Sequence, residues 1–234
     1  MNNVRSTELI VALDVASLDE AVALTRALKP ATEWFKIGKE LFTKYGPQAV
    51  ERIRGEDVNV FLDLKYMDIP NTVERGVRAA AALGAKMTTV HASAGPKALQ
   101  SAASAAQDTG VMVVGVTVLT SMDEHELKAI GVGDPPAVQV DRLARLARDQ
   151  GLTGVVCSPD EIERVRRICG GGFVLVVPGI RPAGSQPNDQ KRARTPREAV
   201  CMGADYIVVG RPVTAAQDPY QAARRIMDEM SRSE

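Results

Sequence analysis

Short runs of β-branched and other apolar residues alternate along the whole chain with longer segments of helical period. The runs fall at Leu9–Asp14, Trp34–Ile37, Val58–Leu64, Met87–His91, Val111–Leu119, Gly154–Cys157, Phe173–Val177 and Tyr206–Val209. Several are almost unbroken, as expected of parallel strands buried on both faces. The intervening segments carry helix-start signals. Ser17 with Glu20, Ser158 with Glu161, Thr195 with Glu198, and Asp218 with Gln221 have the spacing of a capping box. Pro196 and Pro219 follow two of these caps, at the first helical position, where a missing N–H costs nothing. After Ser17, the positions Leu18, Ala21, Val22, Thr25 and Leu28 form one helical face, which Pro30 ends.

Strands that each lead into a helical pattern predict an α/β fold, a (β/α)8 barrel forming a single domain over residues 1–234. An open doubly wound sheet is the alternative, and the absence of a GxGxxG after the first strand weighs against it. No linker or low-complexity tract divides the chain. One connection differs from the rest: residues 178–195, PGIRPAGSQPNDQKRART, are rich in Gly, Pro and polar side chains. Because this segment follows the seventh strand, it is expected on the C-terminal face of the barrel as an active-site lid.

Composition narrows the function. Of 234 residues, 45% are hydrophobic, enough for a sizeable core, and 29 basic residues balance 29 acidic ones. Such a balance gives no footprint for nucleic acid or a membrane surface, so a small-molecule ligand is expected. Cys157, Cys169 and Cys201 form no CxxC, and with only two histidines a metal site is not expected. The cysteines read as small buried hydrophobes in a reducing compartment. The N-terminus reads as a strand and not a signal peptide, and no apolar stretch approaches the roughly 18 residues of a membrane span. A cytoplasmic location is the expectation.

The chemistry-bearing residues sit at strand ends. In FLDLKYMDIPNT, Asp63 and Lys65 are two apart at the end of strand three, and Asp68 follows three residues later. Charges at a buried strand end are costly unless paired. A single pair could be an ordinary salt bridge capping the barrel. However, Asp14 closes strand one and Lys36 lies inside strand two. Together they predict two lysines and three aspartates around one mouth, offering fixed charge and a proton donor without a metal. A phosphate-binding element is expected at the ends of strands seven and eight, in Pro178-Gly179-Ile180-Arg181 and Val209-Gly210-Arg211. His91 reads as a hydrogen-bonded core histidine more readily than as a catalytic one. His125 reads as part of a solvated helix face, and Trp34 as packing.

These residues resemble the orotidine 5′-monophosphate decarboxylase family over nearly the whole chain. The resemblance lies in LIVALDV, FKIGKELF, FLDLKYMDIPNTV, TVHAS, VTVLTSM, PGIRPAG and VVGRPVT. It implies decarboxylation of orotidine 5′-monophosphate to UMP in de novo pyrimidine biosynthesis, with no metal and no organic cofactor. Lys65 would protonate C6 of the carbanion-like pyrimidine, and Asp63 would lie against the substrate carboxylate. Lys36 and Asp14 would contact the ribose, and Thr120 the ring. Gly210, Arg211 and Arg181 would hold the phosphate, and Gln190 would close over the base and phosphate. Asp68 and Thr72 would reach into the neighbouring site of a homodimer. Two rivals remain: a magnesium-dependent hexulose-phosphate synthase or keto-gulonate-phosphate decarboxylase, and a non-catalytic nucleotide-binding barrel. Lys36, where the magnesium enzymes carry an acid, and Ile69-Pro70 favour the nucleotide enzyme.

Overall fold

The computed structural model describes residues 7–182 and 194–231. Eight parallel strands close into a barrel in sequential order: β1 (Glu8–Ala12), β2 (Trp34–Ile37), β3 (Asn59–Tyr66), β4 (Met87–His91), β5 (Met112–Val116), β6 (Gly154–Val156), β7 (Val174–Pro178) and β8 (Tyr206–Val209). The closing pair is β1 with β8, Leu9 opposite Ile207 and Val11 opposite Val209. The (β/α)8 expectation is met. At least one helix follows every strand, and two follow each of β2, β5 and β8.

The expected run Val111–Leu119 ends as a strand at Val116, because Val118 and Leu119 turn to line the barrel mouth. Strand β3 is longer than expected and takes in Lys65 and Tyr66. Three of the four expected helix caps form through the predicted side chain, at Ser17, Thr195 and Asp218. At Ser158 the hydroxyl makes no hydrogen bond among the described residues, and only the glutamate half of the box is present. Ser17 Oγ accepts from the Glu20 N–H, and Asp218 accepts from the Gln221 N–H. Thr195 and Glu198 exchange both bonds of a capping box. At the 3-10 turn after β6, the Glu161 carboxylate accepts from the Ser158 N–H.

Alternation along the strands decides what faces inward. Leu9, Val11, Leu13, Phe35, Ile37, Val60 and Leu62 point outward and pack beneath the helices in the main core. Ile10, Ala12, Trp34, Phe61, Met87, Val114, Val174, Val176 and Val208 fill the barrel interior as a second core. Trp34 meets Tyr206 edge-on there, with ring centroids 5.2 Å apart, the packing role expected of it. Each fully buried Val, Ile, Phe or Met side chain of this interior contributes about 1.5–3 kcal/mol. Continuing the inward rows toward the C-terminal ends turns apolar residues into polar ones: Ile10–Ala12 leads to Asp14, Trp34 to Lys36, Phe61 to Asp63, and Met87 to Thr89 and His91. The apolar interior therefore forms the floor of a charged mouth.

Candidate active site

Four of the predicted charges meet at this mouth. Lys65 Nζ donates to Asp63 Oδ2 at 2.6 Å. Lys36 Nζ lies 3.8 Å from the same oxygen and donates to Asp14 Oδ1 at 3.2 Å. The result is a chain of alternating sign: Asp14, Lys36, Asp63, Lys65. Its centre is withdrawn from water, with only 11% of the side-chain surface of Lys36 and Asp63 exposed, against 56% for Asp14. Burial pushes the Asp63 carboxyl up. The two ammonium groups and the hydrogen bonds from Lys65 and Thr89 outweigh it and hold the group below its ordinary value.

Backbone geometry aims these groups. Between Leu62 and Tyr66, β3 advances four residues while β4 advances two, from Thr88 to Val90. The bulge carries Lys65 at φ 55°, a left-handed conformation that a lysine adopts only when its surroundings hold it there. The Lys65 N–H donates to Thr89 Oγ1 at 2.8 Å, and Thr89 Oγ1 donates to Asp63 Oδ1 at 3.0 Å. Gly38 supplies clearance on the other side. A Cβ at that position would stand 3.0 Å from Asp14 Oδ1 and 3.1 Å from Lys36 Nζ. Neither Thr89 nor Gly38 stood out in the sequence as a site residue. The inward row Met87–Thr89–His91 is the signal that points to Thr89.

The charges border a cavity of about 180 Å³. Lys36, Asp63 and Lys65 line it from β2 and β3, and Phe61 lies beneath. Val116, Val156, Val176 and Val208 line it from β5 to β8, with Thr120 and Pro178 at its margin. A ligand entering it would meet cations and a carboxylate on one wall and hydrocarbon on the other. Such a low-dielectric setting strengthens every charge interaction with the ligand.

The remaining predicted residues are placed as follows. Gly210 follows β8, where a Cβ would lie 3.8 Å from Asp14 Oδ2, and Arg211 begins the short helix after it. The Arg181 N–H donates to the Arg194 carbonyl at 2.9 Å, joining the two ends of the long connection beside the mouth. Gln190 lies outside the described residues. Asp68 does not join the cluster within its own chain. It is exposed, accepts from the Ile69 N–H at 2.7 Å, and stands near exposed Thr72. Met67 and Ile69 beside it are 61% and 66% exposed.

Two bland expectations need correction. His91 ends β4 as predicted, but it is only partly buried, and its imidazole makes no hydrogen bond among the described residues. Burial, then the Lys39 and Lys65 charges, hold its imidazole below the usual histidine value. It sits at the rim because the inward row carries it past the core. The cysteines are not uniformly buried: Cys157 is, Cys169 is intermediate and Cys201 is exposed. Cys201 lies on the outer face of the helix Pro196–Met202, away from the barrel.

A closed parallel barrel with an acid–base cluster at the C-terminal ends of its strands defines the class: a (β/α)8-barrel enzyme. Residues 7–226 match the model of the Orotidine 5'-phosphate decarboxylase / HUMPS family, and the chain belongs to that family. Among curated relatives, the orotidine 5'-phosphate decarboxylases of Pectobacterium atrosepticum and Pectobacterium carotovorum subsp. carotovorum are each 47% identical. Each alignment covers 94% of this chain, and 90% and 91% of the relative. Of solved structures, orotidine 5'-phosphate decarboxylase from Lactobacillus acidophilus superposes with a TM-score of 0.85 at 36% identity, over 97% of this chain and all of that one. An uncharacterized conserved protein from Geobacillus kaustophilus superposes at 0.82 and 34% identity, over 95% of this chain and all of that one. Among the described residues, no helix is long and apolar enough to cross a membrane.

Proposed function

We propose that this protein decarboxylates orotidine 5′-monophosphate to UMP and carbon dioxide, as a step of pyrimidine biosynthesis in the cytoplasm. The observation that carries the proposal is the Lys65 ammonium held 2.6 Å from Asp63, with Lys36 as a second cation, at the edge of a half-apolar cavity. The names of the curated relatives support the same reading.

In this reaction the bond from C6 to the carboxylate breaks and its electron pair stays on C6. Fixed positive charge beside that carbon lowers the barrier, since it needs no reorganisation when the charge develops. The Lys65 ammonium supplies the charge, then donates its proton to C6 as a general acid. The resulting amine regains a proton from water. Asp63 holds Lys65 in place and faces the departing carboxylate. Lys36 and Asp14 take the ribose hydroxyls, Thr120 the ring, and Gly210, Arg211 and Arg181 the phosphate. Segment 178–195, with Gln190, serves as the lid over the nucleotide. No metal or organic cofactor takes part.

The working form is a homodimer in which Asp68 and Thr72 complete the partner's mouth. Support for this comes from the exposed Met67 and Ile69 flanking an Asp68 that has no ion pair among the described residues of its own chain. An absorbance assay with orotidine 5′-monophosphate, run in EDTA, tests the function. Steady loss of the orotidylate band is expected. Turnover that requires magnesium and stops in EDTA would replace this reading with a magnesium-dependent sugar-phosphate reaction. UMP binding without turnover would make the barrel a binding module.

A further inference from the structure

We propose that Thr89 is a positioning residue for the proton donor: its one hydroxyl fixes both the Lys65 backbone and the Asp63 carboxylate, so that Asp63 Oδ2 is left to the two lysines. This inference rests on the functional reading above for its kinetic readout, and on geometry alone for its structural one. Thr89 is fully buried on β4 and faces the barrel interior between Met87 and His91. Its Oγ1 has one hydrogen to give and gives it to Asp63 Oδ1 at 3.0 Å. The same oxygen accepts from the Lys65 N–H at 2.8 Å. The second contact ties down the residue whose φ of 55° would otherwise be unfavourable for lysine. The first turns the carboxylate about its axis, presenting Oδ2 to Lys65 at 2.6 Å and Lys36 at 3.8 Å.

Without that hydroxyl, the Lys65 N–H is left unpaired in a bulge, and the carboxylate can rotate. The lysine side chain then loses a fixed point at each end, its own Cα and the oxygen that receives its ammonium. Misplacement of a catalytic group by about 1 Å can cost about 10²-fold in rate. Serine keeps the oxygen and both bonds. Valine keeps the shape and loses them.

The test compares Thr89→Val and Thr89→Ser with the parent, each first confirmed folded by circular dichroism. Two readouts are taken: steady-state kinetics on orotidine 5′-monophosphate, and titration of the Asp63 carboxyl by 13C NMR of protein labelled at aspartate, assigned with Asp63→Asn. Thr89→Val is expected to lower kcat by roughly 10- to 100-fold with KM within about threefold. It is also expected to move the Asp63 titration to higher pH, since a hydrogen bond to the ionised form is lost. Thr89→Ser is expected to restore both. Should Thr89→Val not fold, Thr89→Ala takes its place with the same expectations. A folded Thr89→Val with the parent's kcat and the parent's Asp63 titration overturns the inference. So does a Thr89→Ser as impaired as Thr89→Val, which would make the residue a packing element. An inactive parent would instead sink the functional reading, and the Asp63 titration would still decide the role of Thr89.

Discussion

Two clusters of partly buried charge occupy opposite ends of this barrel. At the N-terminal end, Arg166 Nη2 meets Asp205 Oδ2 at 2.6 Å, the same separation as Lys65 and Asp63 at the mouth. Exposure is also alike: 22% and 12% for the side chains of the lower pair, 26% and 11% for the upper. Their surroundings differ. Arg166 also donates to the carbonyls of Gly170, Phe173 and Gly203, and Asp205 accepts from the Leu175 N–H. The lower cluster spends its donors on the protein's own backbone and ties the starts of β7 and β8 to the helix Ile162–Cys169. Lys65 Nζ makes one hydrogen bond among the described residues, although an ammonium has three donors. The spare donors border a cavity. An ion pair alone therefore does not mark a site; unspent hydrogen-bonding capacity beside a cavity does.

The largest break in this comparison should come from Lys65→Ala. With orotidine 5′-monophosphate as substrate, kcat is expected to fall by at least about 10³-fold. Lys36 still neutralises Asp63, so the melting temperature should move by no more than about 3 °C. Arg166→Ala should do the reverse. Leaving Asp205 and three carbonyls without their partner should cost about 3 kcal/mol, seen as a melting temperature lower by roughly 10 °C. Its kcat should stay within about twofold of the parent, because the two ends of the barrel are independent. If Arg166→Ala impaired turnover in the folded protein as much as Lys65→Ala, the division between structural and functional charge would fail.

Gly38→Ala sharpens the contrast on the upper side. Its methyl group would crowd Asp14 Oδ1 and Lys36 Nζ, and kcat/KM is expected to fall roughly tenfold. A parent-like value would mean that the Asp14–Lys36 separation does not matter.

The smallest effect concerns His91. Its folded-state value lies below the unfolded one, so the unfolded chain takes up a proton first as pH falls. Stability is lost from about pH 6.5 downward until the folded imidazole also protonates. His91→Gln removes this contribution. Denaturant unfolding between pH 7 and pH 5 should show the variant losing less stability than the parent; equal losses would mean that the imidazole titrates alike in both states.

Most of the fold was legible because parallel strands buried on both faces must be apolar, and their runs stand out against helices with caps. The charged mouth was legible for the complementary reason. Asp14, Lys36, Asp63 and Lys65 interrupt or end apolar runs where an unpaired charge would be too costly. Thr89 escaped notice because threonine in a strand reads as ordinary β-propensity; only the inward parity of β4 gives it away. The left-handed Lys65 was not legible at all. Nothing in a lysine favours that conformation, and it depends on a hydroxyl 24 residues away in sequence. Asp68 and Thr72 are both exposed, so no cost of burial marks them, and only their spacing in the motif after Lys65 points to them. Gln190 falls outside the described residues.

Whether the Lys65 ammonium drives decarboxylation is decided by release of labelled carbon dioxide from carboxyl-labelled orotidine 5′-monophosphate, measured in EDTA for the parent and for folded Lys65→Ala. The expectation is rapid release by the parent and release at least about 10³-fold slower by the variant. Release by Lys65→Ala at the parent's rate would contradict it.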